Sequence, residues 1–159
     1  MRNREQTILI VSDDAALCAA ARREFEASIA GVRVASVSSV AAARRILEEE
    51  APVAILLEEA AIVSETDGPR AIVPRLDAVV TSLAVYAPVV VIGAAARRAE
   101  LSALIDAGAA DYVMRDGACL TTALDSSAAA CARRREWRKA PTNRSRKLRK
   151  TLDKCCATN

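Results

Sequence analysis

The chain has 159 residues and 16.9 kDa, the size of one compact domain with room for a tail. Apolar residues make up 52% and include 35 alanines, yet no apolar run reaches the ~18–20 residues of a membrane span. Histidine is absent, which excludes histidine bases and phosphohistidine donors, and the net charge of +3 conceals an acidic body with a basic end.

Three short runs are apolar throughout and rich in β-branched residues: Thr7-Ile8-Leu9-Ile10-Val11, Val53-Ala54-Ile55-Leu56-Leu57 and Pro88-Val89-Val90-Val91-Ile92. Their continuous character predicts strands covered on both faces, as in a parallel sheet. Val32-Arg33-Val34-Ala35-Ser36 alternates and suits a flanking strand, and Asp111-Tyr112-Val113-Met114 is a fifth candidate.

Helical stripes separate them. Leu17, Ala21, Phe25 and Ile29 form the first, and Val40, Ala43, Ile46 and Leu47 the second, with Ser38 or Ser39 as N-cap. Leu76, Val79, Val80 and Leu83 follow Pro74; Leu101, Leu104, Ile105 and Gly108 form the fourth stripe, and Leu120, Leu124, Ala128 and Cys131 the fifth. Cys18 and Cys131 read as small core residues, and the five cysteines include no C-x-x-C pair, so a zinc site is not expected.

Five β-then-α units predict an α/β sandwich whose functional crevice lies beyond the carboxyl ends of the strands. The residues there are Ser12-Asp13-Asp14, Glu58-Glu59, Gly93-Ala94 and Arg115-Asp116. Acids from the first and third strands are thus expected to face an arginine from the fifth.

On these segments, together with Asp67-Gly68 and Gly108-Ala109-Ala110, residues 6–132 resemble the receiver domain of bacterial two-component response regulators (CheY-like). The resemblance implies a flavodoxin-like fold: a five-stranded parallel sheet of order 2-1-3-4-5 with helices on both faces. It also implies a phosphorylation pocket of five side chains: an acid pair holding Mg²⁺, a nucleophilic aspartate, a hydroxyl residue and a lysine. The matching positions here are Ser12 and Asp13 for the acid pair, Glu58 for the aspartate, Gly93 for the hydroxyl and Arg115 for the lysine. A register slipped by one makes Asp13 and Asp14 the pair instead. Tyr112 stands where the family has its switching aromatic.

These substitutions suggest a degenerate pocket closed by an internal ion pair, with Arg115 holding Glu58 or Asp13. Glu58 supplies negative charge further from the backbone than aspartate, a partial mimic of the phosphorylated state. Two alternatives stand beside this: Glu58 and Arg115 as merely solvated strand ends, and phosphorylation on Glu58 or Ser12. No catalytic residue and no cofactor are expected. A Mg²⁺ ion belongs only to an active pocket, on Asp13, Asp14 and Glu58.

Residues 1–132 carry 12 arginines against 18 acids (−6), whereas residues 133–159 carry 11 Lys and Arg against two acids (+9). The basic end holds Arg133, Arg134, Arg135, Arg144, Arg146, Lys147, Arg149 and Lys150. The last helix is expected to stop near Lys139, before Pro141, with a disordered tail beyond. Such a tail suits nucleic acid, an acidic protein, or no partner at all. The polar opening Met1-Arg2-Asn3-Arg4-Glu5-Gln6 is not that of a signal peptide, so a cytoplasmic location is expected. The leading expectation is a non-catalytic pseudo-receiver in signal transduction, acting through protein contacts. Its partner face is the fourth helix, fifth strand and fifth helix, which also suit homodimerisation.

Overall fold

The computed structural model describes residues 6–63, 72–94, 98–115 and 119–139. The strands are β1 (Gln6–Val11), β2 (Val32–Val37), β3 (Ala54–Glu58), β4 (Val89–Gly93) and β5 (Asp111–Met114). The helices are α1 (Ala15–Ser28), α2 (Val40–Glu49), the single turn α3 (Ala60–Val63), α4 (Ile72–Ala84), α5 (Arg98–Ser102) and α6 (Cys119–Lys139). All strand pairs are parallel, as the continuous apolar runs predict, and their order β2-β1-β3-β4-β5 is the one the resemblance to receiver domains implies. The sheet is the flavodoxin-like one.

The continuous apolar runs are explained by two cores, one on each face. Leu9, Val11, Ile55, Leu57, Val89 and Val91 point towards α2, α4 and α5. Ile8, Ile10, Ala54, Leu56, Val90 and Val113 point towards α1 and α6. Adjacent residues on a strand face opposite ways, so a strand buried on both sides has no polar position to alternate with.

Local signals set the helix starts. Asp14 caps α1, its Oδ1 accepting from the amides of Ala16 (2.9 Å) and Leu17 (3.1 Å). Ser39, rather than Ser38, caps α2 by accepting from the Ala42 amide at 3.2 Å.

Three helical stripes need correction. α1 ends at Ser28, and Ile29 is its half-buried C-cap; the chain then turns through Gly31 at φ 76°. Ile105 is exposed, because α5 tightens into a 3₁₀ turn over Ala103–Ile105 that rotates its periodicity. On α6 the buried line is Ala123, Ser127 and Ala130, not Leu120, Leu124, Ala128 and Cys131. Small residues let α6 lie close to the sheet, so the leucines flank the contact and Ala128 faces outward. Cys18 and Cys131 are half-buried rather than core residues.

Candidate functional site

The carboxyl ends of β1, β3 and β5 bring Ser12, Asp14, Glu58 and Arg115 together. Ser12 follows β1, held by its amide on the Val37 carbonyl at 2.9 Å. Its hydroxyl donates to Oε2 of Glu58 and accepts from the Asp14 amide at 3.0 Å. Glu58 ends β3 with 2% exposure, a burial that a carboxylate tolerates only with partners. Its Oε1 accepts from Nη1 of Arg115, whose Nη2 reaches Oδ2 of Asp14.

Arg115 follows β5 and crosses the end of β4 to reach both acids, its own amide bonded to the Gly93 carbonyl at 2.8 Å. The planar guanidinium presents separate N–H donors to two carboxylates, which an ammonium point charge does less directionally. Asp14 does double duty as helix cap and ion-pair partner. The Leu17 amide, and then Arg115, hold its carboxyl below the usual carboxylate range. The expected alternative partner, Asp13, is exposed, and the second arginine contact falls on Asp14 instead. The cap fixes Asp14 facing the arginine.

Glu59 takes a role that sequence patterning alone does not assign. It is 5% exposed, and its Oε2 accepts from the Ala94 amide at 3.1 Å. A Cβ built on Gly93 would lie 2.8 Å from that oxygen and 2.6 Å from Cδ1 of Leu101. The space a hydroxyl side chain would need at Gly93 is therefore occupied. The signal was present in the sequence as two consecutive glutamates closing an apolar run.

Beside this cluster a groove of about 390 Å³ runs between α1 and the end of β2, lined by Ser12, Asp13, Cys18, Arg22, Ser36 and Ser38. Burial pushes the Cys18 thiol up, away from the reactive thiolate. Tyr112 is half-buried and packs against the core beneath α4 and α5. Arg133 is exposed on α6, which carries the chain through Arg134 and Arg135 to Lys139. Asp67-Gly68, Asp116 and the tail residues Arg144, Arg146, Lys147, Arg149 and Lys150 lie outside the described residues. Among the described residues no three of His, Cys, Asp and Glu gather as metal ligands, and no helix is long and apolar enough to cross a membrane.

No protein-family model and no curated protein matches the sequence. Solved structures do match. The chain is similar to a signal receiver domain of a putative LuxO repressor protein from Vibrio parahaemolyticus (TM-score 0.65, 15% identity, covering 87% of this chain and 99% of that one). It is also similar to a response regulator from Thermotoga maritima (0.63, 16%, 80% and 98%) and to the receiver domain of the Francisella response regulator 1452 (0.62, 14%, 80% and 98%). The fold is that of a response regulator receiver domain. Against that receiver fold, the ion-paired cluster occupies the carboxyl-end crevice that a doubly wound sheet offers to ligands.

Proposed function

We propose that this receiver-fold protein is a pseudo-receiver of two-component signalling, non-catalytic and independent of aspartyl phosphorylation. The observation that carries the reading is the guanidinium of Arg115, joined to both Glu58 and Asp14. Phosphoryl transfer to the end of β3 needs a carboxylate oxygen free to attack and a divalent cation beside it. Here each oxygen of Glu58 has a partner, and the cation among these acids is the arginine itself. Residues present this way do not suit Mg²⁺, because an added divalent ion would be repelled by Arg115 and would have to break its pairs. Gly93 adds to this, offering no hydroxyl to a phosphoryl oxygen, and a side chain there would have to displace the ends of Leu101 and Glu59.

Recognition is then the function, in the cytoplasm, through a protein partner or a second copy docked on α5, β5 and α6. The fixed negative charge of Glu58 holds that surface in one state. A second reading is favoured by the +9 charge of residues 133–159: the body dimerises and the basic end contacts nucleic acid. A similar structure, RcsB from Salmonella enterica serovar Typhimurium, is bound to promoter DNA in the presence of a phosphomimetic.

Incubation with acetyl phosphate and Mg²⁺, read by intact-protein mass spectrometry, tests the main reading. The expected mass is unchanged; a stable adduct of one phosphoryl group on Glu58 or Ser12 overturns it. Binding to unrelated DNA sequences that weakens steeply with salt and vanishes on deleting residues 140–159 would establish the second reading.

A further inference from the structure

Among the described residues the exposed large apolar side chains are Val85 (74%), Tyr86 (46%) and Ile105 (44%), and all of them lie at the amino-terminal end of the sheet. Val85 and Tyr86 follow α4, and Ile105 closes the 3₁₀ turn before β5. The two places adjoin. Thr81 donates to the Ala107 carbonyl at 3.0 Å, and a Cβ built on Gly108 would lie 3.6 Å from that of Ala84. The Gly108 amide in turn donates to the Ile105 carbonyl at 3.1 Å. Single apolar side chains on a surface need no explanation, but exposure gathered at one place marks a docking surface.

Negative charge frames the patch. Asp106 follows Ile105 and is exposed. On the other side, Arg44 of α2 donates to the Ser82 hydroxyl of α4 at 3.3 Å. The two helices run in the same direction, so one turn further on the exposed Glu48 comes alongside Tyr86. An occupant therefore needs apolar side chains flanked by cations.

The chain itself contains such a segment. Residues 144–154 hold six Lys and Arg against one acid, together with Leu148 and Leu152, the only large apolar residues after Lys139. Their spacing puts both leucines on one face of a helical turn. The segment also starts from the right end of the sheet. α6 passes the start of β3 at Cys131, whose thiol donates to the Val53 carbonyl at 3.0 Å, and runs on to Lys139. The Ile55 amide of the same strand bonds the Pro88 carbonyl, two residues after Tyr86. Leu148 is nine residues beyond Lys139, a reach of up to ~30 Å in extended chain.

We propose that residues 144–154 dock on this patch of their own chain, Leu148 and Leu152 covering Val85, Tyr86 and Ile105 while the flanking cations face Glu48 and Asp106. The inference stands apart from the pseudo-receiver reading, since no residue of the carboxyl-end cluster takes part. It makes the body a competitor with nucleic acid for the same cations, so a docked basic end is a withheld one.

Limited trypsin digestion of the full chain is the test, read at the bonds after Arg146, Lys147, Arg149 and Lys150. Cleavage tracks the undocked fraction when docking is rapid, so Val85→Lys with Ile105→Lys, two surface changes, is expected to raise the rate about fivefold. Added salt should raise it in the parent and leave the variant nearly unchanged. Leu148→Ser with Leu152→Ser, placed beyond the last described helix, checks the contact from the other side by amide NMR. The amides of residues 84–87 and 104–108 should shift, and those of β1 should not. Equal cleavage of parent and variant, or unmoved amides, overturns the proposal. Protection that disappears on dilution would assign the patch to the segment of a second copy and overturns it likewise.

Discussion

β1 carries the same three chemical types at each of its ends. At the carboxyl end Ser12 donates to Glu58, which is paired with Arg115; at the amino end Thr7 donates to Glu50, which is paired with Arg33 at 3.0 and 3.1 Å. Their surroundings differ. Glu58 is 2% exposed, whereas the side chains of Glu50 and Arg33 are 41% and 49% exposed. The amino-end trio closes the register Thr7↔Arg33 against water, which screens it. At the carboxyl end the acid itself is enclosed, so Glu58 lacks the option of solvation, while Arg115, its side chain 42% exposed, keeps one face to water. Burial, not residue type, makes one cluster a site and leaves the other a surface pair.

Removing the arginine from each end breaks that comparison most sharply. Arg115→Ala leaves Glu58 buried without its cation, which costs about 3–5 kcal/mol for a fully buried pair and nearer ~2–3 kcal/mol with a half-exposed arginine. Arg33→Ala should cost at most ~1 kcal/mol, as for other exposed pairs. Urea denaturation of both variants measures the difference. Equal losses would return Glu58 and Arg115 to the status of solvated strand ends. Arg115→Met with Glu58→Leu should recover most of the loss, because buried pairs are commonly replaceable by apolar residues of similar volume.

Restoring the family hydroxyl comes next in size. Gly93→Ser forces a Cβ against Leu101 and Glu59, and overpacking of this kind costs ~1–3 kcal/mol. Pairing it with Glu59→Ala should return part of that stability in the same urea assay. A single Gly93→Ser as stable as the parent would mean that Glu59 moves aside freely, and the crevice would then be open to a hydroxyl.

The architecture was legible because its signals were redundant: three strands buried on both faces spell themselves out as unbroken apolar runs, and their order leaves few topologies. The elements of the site were legible for a different reason. Strand-ending polar residues such as Glu58 and Arg115 are conspicuous after such runs. Their pairings were less so. Asp13 and Asp14 are adjacent and identical in type, and only the cap of α1, which turns Asp14 towards Leu17 and the arginine, separates them. Glu59 was hidden because its importance lies in the volume it denies to Gly93, a relation between strands β3 and β4 that no local pattern encodes. Helix α6 misled for a related reason, since the largest apolar residues of a helix face the sheet only where the sheet leaves them room.

The smallest expected effect separates the causes acting on each end's carboxylate. Asp14 is held below its ordinary range first by the Leu17 amide and then by Arg115, and Glu50 first by the Thr7 hydroxyl and then by Arg33. In the unfolded chain both titrate near pH 4. A folded value below the unfolded one means that ionisation favours folding: the contribution is complete above about pH 4 and fades as pH falls through the folded value. Asp14→Asn keeps a good N-cap while removing the charge, so it should flatten the acid limb of stability against pH, as should Glu50→Gln. Carboxyl NMR titration then ranks the partners. In Arg115→Ala, Asp14 should stay depressed because the helix amides remain, and in Thr7→Val Glu50 should rise towards its ordinary value. Asp14 returning to its ordinary value in Arg115→Ala would instead make the arginine, not the cap, what holds this acid over the crevice.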